Sequence, residues 1–382
     1  MMETPNALYP DHDGRSDSRS SEVQSKKDSH LYKVLKKRKH TPPVVFLKTH
    51  KTGSSTVQNL LFRKGEMDRA TFAFPHHTFQ FSYPDKFRED FVEQLPEGST
   101  HFDILCSHMR LNVEPLKRLM PRNAIYITII REPVGTFESV FSSYASTVPA
   151  FVLAKEAAVN GSALSAFLES PESFWDPTEP GNSLGNNPVS FDLGLDTQLW
   201  NFSWQADVTL LKETFQLVMI AEHFDESLVL LADLLNLKLK DLSYVRHNAR
   251  STKDVAPLDN TMKAKIRAWN SQDALLYDMF LKLFWEKAGQ YGLERLSRNV
   301  ALLRASTKRI RQKCVARKEA PSEEVDSFTR PWRTDSVTIL GYRIQKNLTK
   351  QEQRFCMRLV LPEHQYHQHL YLQQYGRAMR TV

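Results

Sequence analysis

The stretch Val44–Thr56 reads VVFLKTHKTGSST, an apolar run with β-branched residues followed by a turn of small polar ones. Such a run predicts a short strand buried on both faces, and the turn predicts a helix start just before VQNLLFR. Gly53, Ser54, Ser55 and Thr56 then bring backbone N–H groups and hydroxyls to a helix N-terminus, where the helix dipole favours an anion. Lys51 adds a point charge, and Thr52 stands between it and the glycine. The spacing is not that of an ATPase loop, in which lysine follows the second glycine, because here Lys51 precedes Gly53 and no glycine opens the turn. The competing reading is an ordinary N-cap with a surface lysine.

Further apolar runs follow at 102–109 (FDILCSHM), 124–130 (AIYITII) and 216–224 (QLVMIAEHF). Helical stretches follow the first, third and fourth runs: VQNLLFRKG, VGTFESVFSSYAS and DESLVLLADLLNLKL. Strands alternating with helices imply an α/β fold, a mostly parallel sheet flanked by helices, with ligands at the carboxyl ends of the strands. Residues 160–196 are rich in Pro, Gly, Asn and Ser and read as a lid or an acceptor-side excursion. Residues 261–316 read as helix with a break near Gly289 and Gly292.

The chain has 382 residues, 41% hydrophobic and 25% charged, with a net charge of +7. That is a globular composition with a bias toward anionic ligands. Residues 1–43 read as a disordered basic tail, and its Lys36–Lys39 cluster as a solvated linker ahead of a nuclear-localisation or lipid-facing patch. No apolar run reaches membrane-spanning length and no signal peptide is visible, so the chain reads as soluble. Three sequons begin at Asn160, Asn201 and Asn347. Of three cysteines, Cys106 reads as a buried free thiol, and Cys314 and Cys356 pair if the compartment is oxidising.

Arg131 ends the 124–130 run, Pro133 suits the first turn of the next helix, and Ser139 lies about two turns along it. An arginine fork with a hydroxyl suits a second phosphate, against a plain Arg131–Glu132 link and a solvent-facing serine. Two histidines, His50 and His108, end runs that read as neighbouring strands. The segment TFAFPHHTFQFSYP spaces Phe72, Phe74, Phe79, Phe81 and Tyr83 as core aromatics or as a sugar-facing wall, with the core preferred. His364, His367 and His369 lack a metal-site spacing.

Taken together, the strings FLKTHKTGSSTVQNLLFR, ILCSHMRLN, IIREP, AEHFDESLVLL, LGY and LPEHQY resemble the galactose 3-O-sulfotransferase family from about Val44 to Tyr366. The resemblance implies a P-loop-like sulfotransferase fold over 44–382. It also implies 3′-phosphoadenosine 5′-phosphosulfate as donor, with no metal required. By that likeness Lys51, Thr52, Gly53, Ser54, Ser55 and Thr56 hold the 5′-phosphosulfate, and Arg131 with Ser139 holds the 3′-phosphate. The acceptor is a galactose-terminated glycan or glycolipid, not nucleic acid. HNAR, with Asn248 and Arg250, also resembles a family string, whereas His364 stands where the family carries an aliphatic residue. The family is anchored in the Golgi membrane by one N-terminal span, for which this sequence shows no counterpart.

The chemistry assigns further roles. Sulfuryl transfer is an in-line displacement governed by positioning and charge neutralisation, so Lys51 stabilises the leaving phosphate. A hydroxyl nucleophile needs a base with a pKa near the working pH, which makes His50 the catalytic base and His108 a second contact to acceptor or sulfate. A structural histidine is the competing reading for each. A nucleotide kinase on the same sheet is the main alternative, with Glu222 as its only metal-binding candidate.

Overall fold

The computed structural model describes residues 41–382, apart from 159–160, 198–199, 252–254, 256, 321–324, 332–336 and 380–382. Residues 1–40 of the tail, including Lys36–Lys39, and Asn160 lie outside the described residues, as does the side chain of Asn201. Five strands, β1 (Val44–Leu47), β2 (Phe72–Ala73), β3 (Ile104–Leu105), β4 (Ile125–Ile130) and β5 (Leu217–Ile220), form one parallel sheet in the order β2-β3-β1-β4-β5. Val44 pairs with Ile104 on one side and Ile125 on the other, so β1 is central. All four of its residues are fully buried, as the unbroken apolar run requires.

The run at 102–109 yields only two ladder residues. Its continuation is diverted where Gln58 Nε2 donates to the Cys106 carbonyl at 3.0 Å. Pairing resumes at His108, which bridges Lys48 on one side and Gln80 on the other.

Helices cover the sheet. Helix α1 (Ser54–Asp68) follows β1, α2 (Val113–Leu119) follows β3, and α3 (Pro133–Tyr144) follows β4. Pro133 opens α3, whose N-cap Glu132 accepts the Val134 N–H at 2.8 Å. Just after α4 (Pro149–Ala157), the excursion is more ordered than its composition suggests, holding α5 (Ala163–Glu169) and α6 (Pro188–Asp192). Phe151 and Phe167 bury fully against Phe137 and Phe141 of α3 in a second apolar cluster. Each such ring contributes about 2 kcal/mol of burial, enough to pin a segment rich in turn residues.

Helix α7 (Trp200–Thr214) leads into β5 and α8 (Phe224–Leu234) leaves it. The long helical stretch divides twice, into α9 (Asn260–Trp269), α10 (Ser271–Tyr291) and α11 (Leu293–Cys314). Gly292, at φ 97°, makes the expected break. The second falls at Asn270, whose side chain donates to the Ile266 carbonyl and accepts the Asn187 N–H at 2.8 Å. An antiparallel hairpin, β6 (Val315–Ala320) and β7 (Gly341–Ile344), precedes α12 (Lys350–Val360) and α13 (Glu363–Tyr375). Cys314 and Cys356 form a disulfide in the small core beneath the hairpin, and Cys106 is a buried free thiol. Among the described residues no helix is long and apolar enough to cross a membrane.

Candidate active site

The turn between β1 and α1 is wound tightly. Lys51 has φ 58° and Gly53 φ 83°, so left-handed residues alternate with Thr52. Such alternation aims successive N–H groups into one concavity, a geometry suited to anions. The hydroxyls are largely spent on holding that shape. Ser54 Oγ donates to the Thr49 carbonyl at 2.6 Å, Thr52 Oγ1 meets Thr49 Oγ1 at 2.8 Å, and Thr56 Oγ1 accepts the His247 N–H at 3.0 Å.

A cavity of about 410 Å³ opens on this turn, and Lys51, Thr52, Gly53, Ser54, Ser55, Thr56, Arg131 and Ser139 all line it. The two motifs, some eighty residues apart in sequence, thus meet at one space. Arg131 Nη1 donates to the Lys51 carbonyl at 3.2 Å. Gly135 makes room for the arginine: a Cβ there would lie 2.9 Å from Arg131 Nη2. Arg246 and Arg250 add cations to the wall, with Phe224 and Tyr244 as its aromatic part. Arg250 forms a two-pronged pair with buried Glu138, next to Ser139. Burial, then the Arg250, Lys48 and Arg131 cations, lower the Lys51 ammonium to about 7. That crowding of positive charge is what an incoming polyanion would relieve.

His50 is built around a carboxylate that sequence reading missed. Asp192, the last residue of α6, is fully buried. It accepts the His50 backbone N–H at 2.7 Å, His50 Nδ1 at 3.0 Å and the Tyr83 hydroxyl at 2.9 Å. With Nδ1 donating to the carboxylate, Nε2 carries the free lone pair. Asp192 is itself held by the α6 start, where Asp273 accepts the N–H groups of Val189 and Ser190 and the Ser190 hydroxyl. Gly194 lets the chain leave, since a Cβ there would strike the Leu111 carbonyl at 2.2 Å.

His108 reaches the same place through its bridge to Lys48. Its ring stacks on His50 at 4.4 Å with 21° between planes. Burial and then the Lys48 cation push its pKa well below the usual imidazole value, so it stands neutral. Its Nδ1 has no protein partner among the described residues.

A second cavity, about 350 Å³, shares His50, Lys51 and His108 with the first. Lys48, Ser55, Tyr144, His247 and Asn248 also line both, and the rest of the second wall includes Thr78–Gln80, Ser143, Ile339–Tyr342 and Pro362–Gln365. The aromatic segment divides between two roles: Phe72, Phe74 and Phe81 are core, Phe79 lines this cavity, and Tyr83 serves Asp192.

The other candidates are otherwise engaged. Glu222 accepts the Glu132 N–H at 3.1 Å and the Tyr277 hydroxyl at 3.2 Å. His367 is buried edge-on to Phe74, His369 Nε2 lies 3.2 Å from Glu66, and His364 stacks on Phe79 at 4.0 Å. Among the described residues no cluster of three or more His, Cys, Asp or Glu is arranged to hold a metal.

Comparison with known proteins gives the family. The family model described as galactose-3-O-sulfotransferase matches residues 16–374. Human galactosylceramide sulfotransferase is 38% identical over 328 residues, 85% of this chain and 76% of the relative. Galactose-3-O-sulfotransferase 3 of Bos taurus is 36% identical over 346 residues, 88% of this chain and 79% of the relative. Galactose-3-O-sulfotransferase 2 of Sus scrofa is 36% identical over 358 residues, 90% of this chain and 88% of the relative. With likeness running through nearly the whole described chain, and both sequence motifs meeting at one cavity, this protein belongs to the galactose-3-O-sulfotransferase family.

Proposed function

We propose that this chain transfers a sulfuryl group from 3′-phosphoadenosine 5′-phosphosulfate to the 3-hydroxyl of a terminal β-linked galactose on a glycoprotein or glycolipid. The observation that carries the reading is the pair of cavities meeting at His50 and Lys51, one ringed by cations and the other of mixed character. When bound, the donor supplies the sulfuryl group and a nucleotide leaving group.

The residues present fit it. The amides of the Lys51–Thr56 turn bind the 5′ end, and Arg131 with Ser139 binds the 3′-phosphate. Phe224 and Tyr244 offer rings to a purine at the far wall. His50 Nε2 takes the proton that the sugar hydroxyl loses as its oxygen bonds to sulfur. Asp192 fixes the tautomer and stabilises the imidazolium that results. Lys51 neutralises charge left on the phosphate oxygen. His108, neutral and stacked on His50, orients it and closes the boundary between the cavities.

A Golgi lumenal location accompanies this reading, supported by the disulfide and by the exposed sequon at Asn347. The test is a labelled-sulfate transfer assay over a panel of terminal galactosides, with linkage analysis of the product. Label on the galactose 3-oxygen is the expected result, and no transfer to any galactoside would overturn the reading.

A further inference from the structure

Glu363 is the only acidic residue among the described residues that line either cavity. It opens α13 and its Oε2 lies 2.8 Å from Lys48 Nζ, with the Ser55 hydroxyl donating to it at 3.3 Å. Its side chain is one-fifth exposed, and that exposed part faces the second cavity, which Glu363 lines, whereas it does not line the first.

A carboxylate this close to an anion-binding turn works against donor binding. Like charges repel strongly across part-buried space, and this one also ties up Lys48, a cation lining both cavities. A role on the acceptor side accounts for its presence there, because an ionised carboxylate accepts hydrogen bonds from hydroxyl pairs better than any other side chain. Ser143 and Gln365 add polar residues to the wall of the same cavity.

We propose that Glu363 is a specificity-determining residue that accepts hydrogen bonds from hydroxyls of the acceptor sugar, and thereby sets which hydroxyl faces His50. The proposal rests on the donor and acceptor assignment made under Proposed function. It makes Glu363 act with opposite sign on the two substrates, favouring the sugar and disfavouring the nucleotide.

The test uses the whole chain and the Glu363→Gln variant, which keeps the shape and an acceptor for Ser55 but removes the charge. Titration with adenosine 3′,5′-bisphosphate should tighten by about threefold to tenfold, from loss of one like charge and release of Lys48. KM for methyl β-galactoside should rise by roughly tenfold to a hundredfold, the range for a hydrogen bond to a charged group. Discrimination between methyl β-galactoside and methyl β-glucoside, which differ at one hydroxyl, should shrink. A merely structural Glu363 would weaken both ligands together and leave that discrimination intact, and this result overturns the proposal. Lys48→Met separates the two roles further, since it should weaken the nucleotide while keeping the preference for galactoside. If the wild-type chain binds the nucleotide but transfers sulfate to no galactoside, the acceptor assignment fails first and this proposal with it.

Discussion

The two cavities share a wall but not an origin. The first rests on two strand–turn–helix units, β1 to α1 and β4 to α3, and is completed by Phe224, Tyr244 and residues 246–250. Beyond the residues common to both, the second draws its wall from 78–80, 143, 339–342 and 362–365, with His50 beside it held by Asp192. A phosphate is recognised by backbone geometry that short sequence patterns encode. A sugar is recognised by side chains that only tertiary folding brings together.

The largest expected effect breaks the shared wall. His50→Gln should cut turnover by roughly a hundredfold or more while adenosine 3′,5′-bisphosphate still binds. Asp192→Asn, which weakens the hold on Nδ1, should lower kcat by roughly tenfold to a hundredfold with little change in nucleotide affinity. A variant of either kind with near-normal turnover would remove His50 from the chemistry and leave the two cavities unconnected.

The next effect sharpens the first cavity. With the Lys51 ammonium lowered to about 7, an anion that draws its proton back must bind with proton uptake above that pH. Below about 7 the lysine is already charged and affinity is flat. As pH rises past 7, affinity for adenosine 3′,5′-bisphosphate should fall by up to about tenfold per unit. Calorimetric titration in buffers of different ionisation enthalpy reads the uptake directly, and Lys51→Met should abolish the slope. A pH-independent affinity would mean that Lys51 does not meet the nucleotide.

The smallest effect tests the fit of the arginine. Gly135→Ala places a methyl group against the Arg131 guanidinium, whose free end can move aside. Thermal stability should change little, whereas nucleotide affinity should weaken by roughly threefold to tenfold. Unchanged affinity would show that Arg131 does not need its present position.

Legibility follows the same divide. The parallel sheet, the glycine turn, Arg131 and Ser139 all stand out as residues at fixed offsets from apolar runs, and each of those residues lines the first cavity. The convergence of His50 and His108 was readable too, since both follow strand-like runs, although the bridge from Lys48 to His108 was not. Asp192 gave no signal. It sits in a segment dense with Gly, Asn and Pro, and its meaning comes from a contact with His50 across 142 positions. Tyr83 did carry a signal, as one aromatic among five, but period-two spacing does not say which ring faces a carboxylate. Gly135 was hidden because helix position alone does not reveal that an arginine lies flat against it.

The Cys314–Cys356 link also falls unevenly across that divide. It ties the end of α11 to α12 beneath the hairpin whose Gly341 and Tyr342 line the second cavity, and Tyr342 in turn donates to the Arg246 carbonyl at 2.7 Å. The choice of production host therefore bears on one half of the molecule more than on the other. A cytosolic bacterial preparation would leave the hairpin beside the second cavity unstapled, whereas periplasmic or secretory material would carry the link closed.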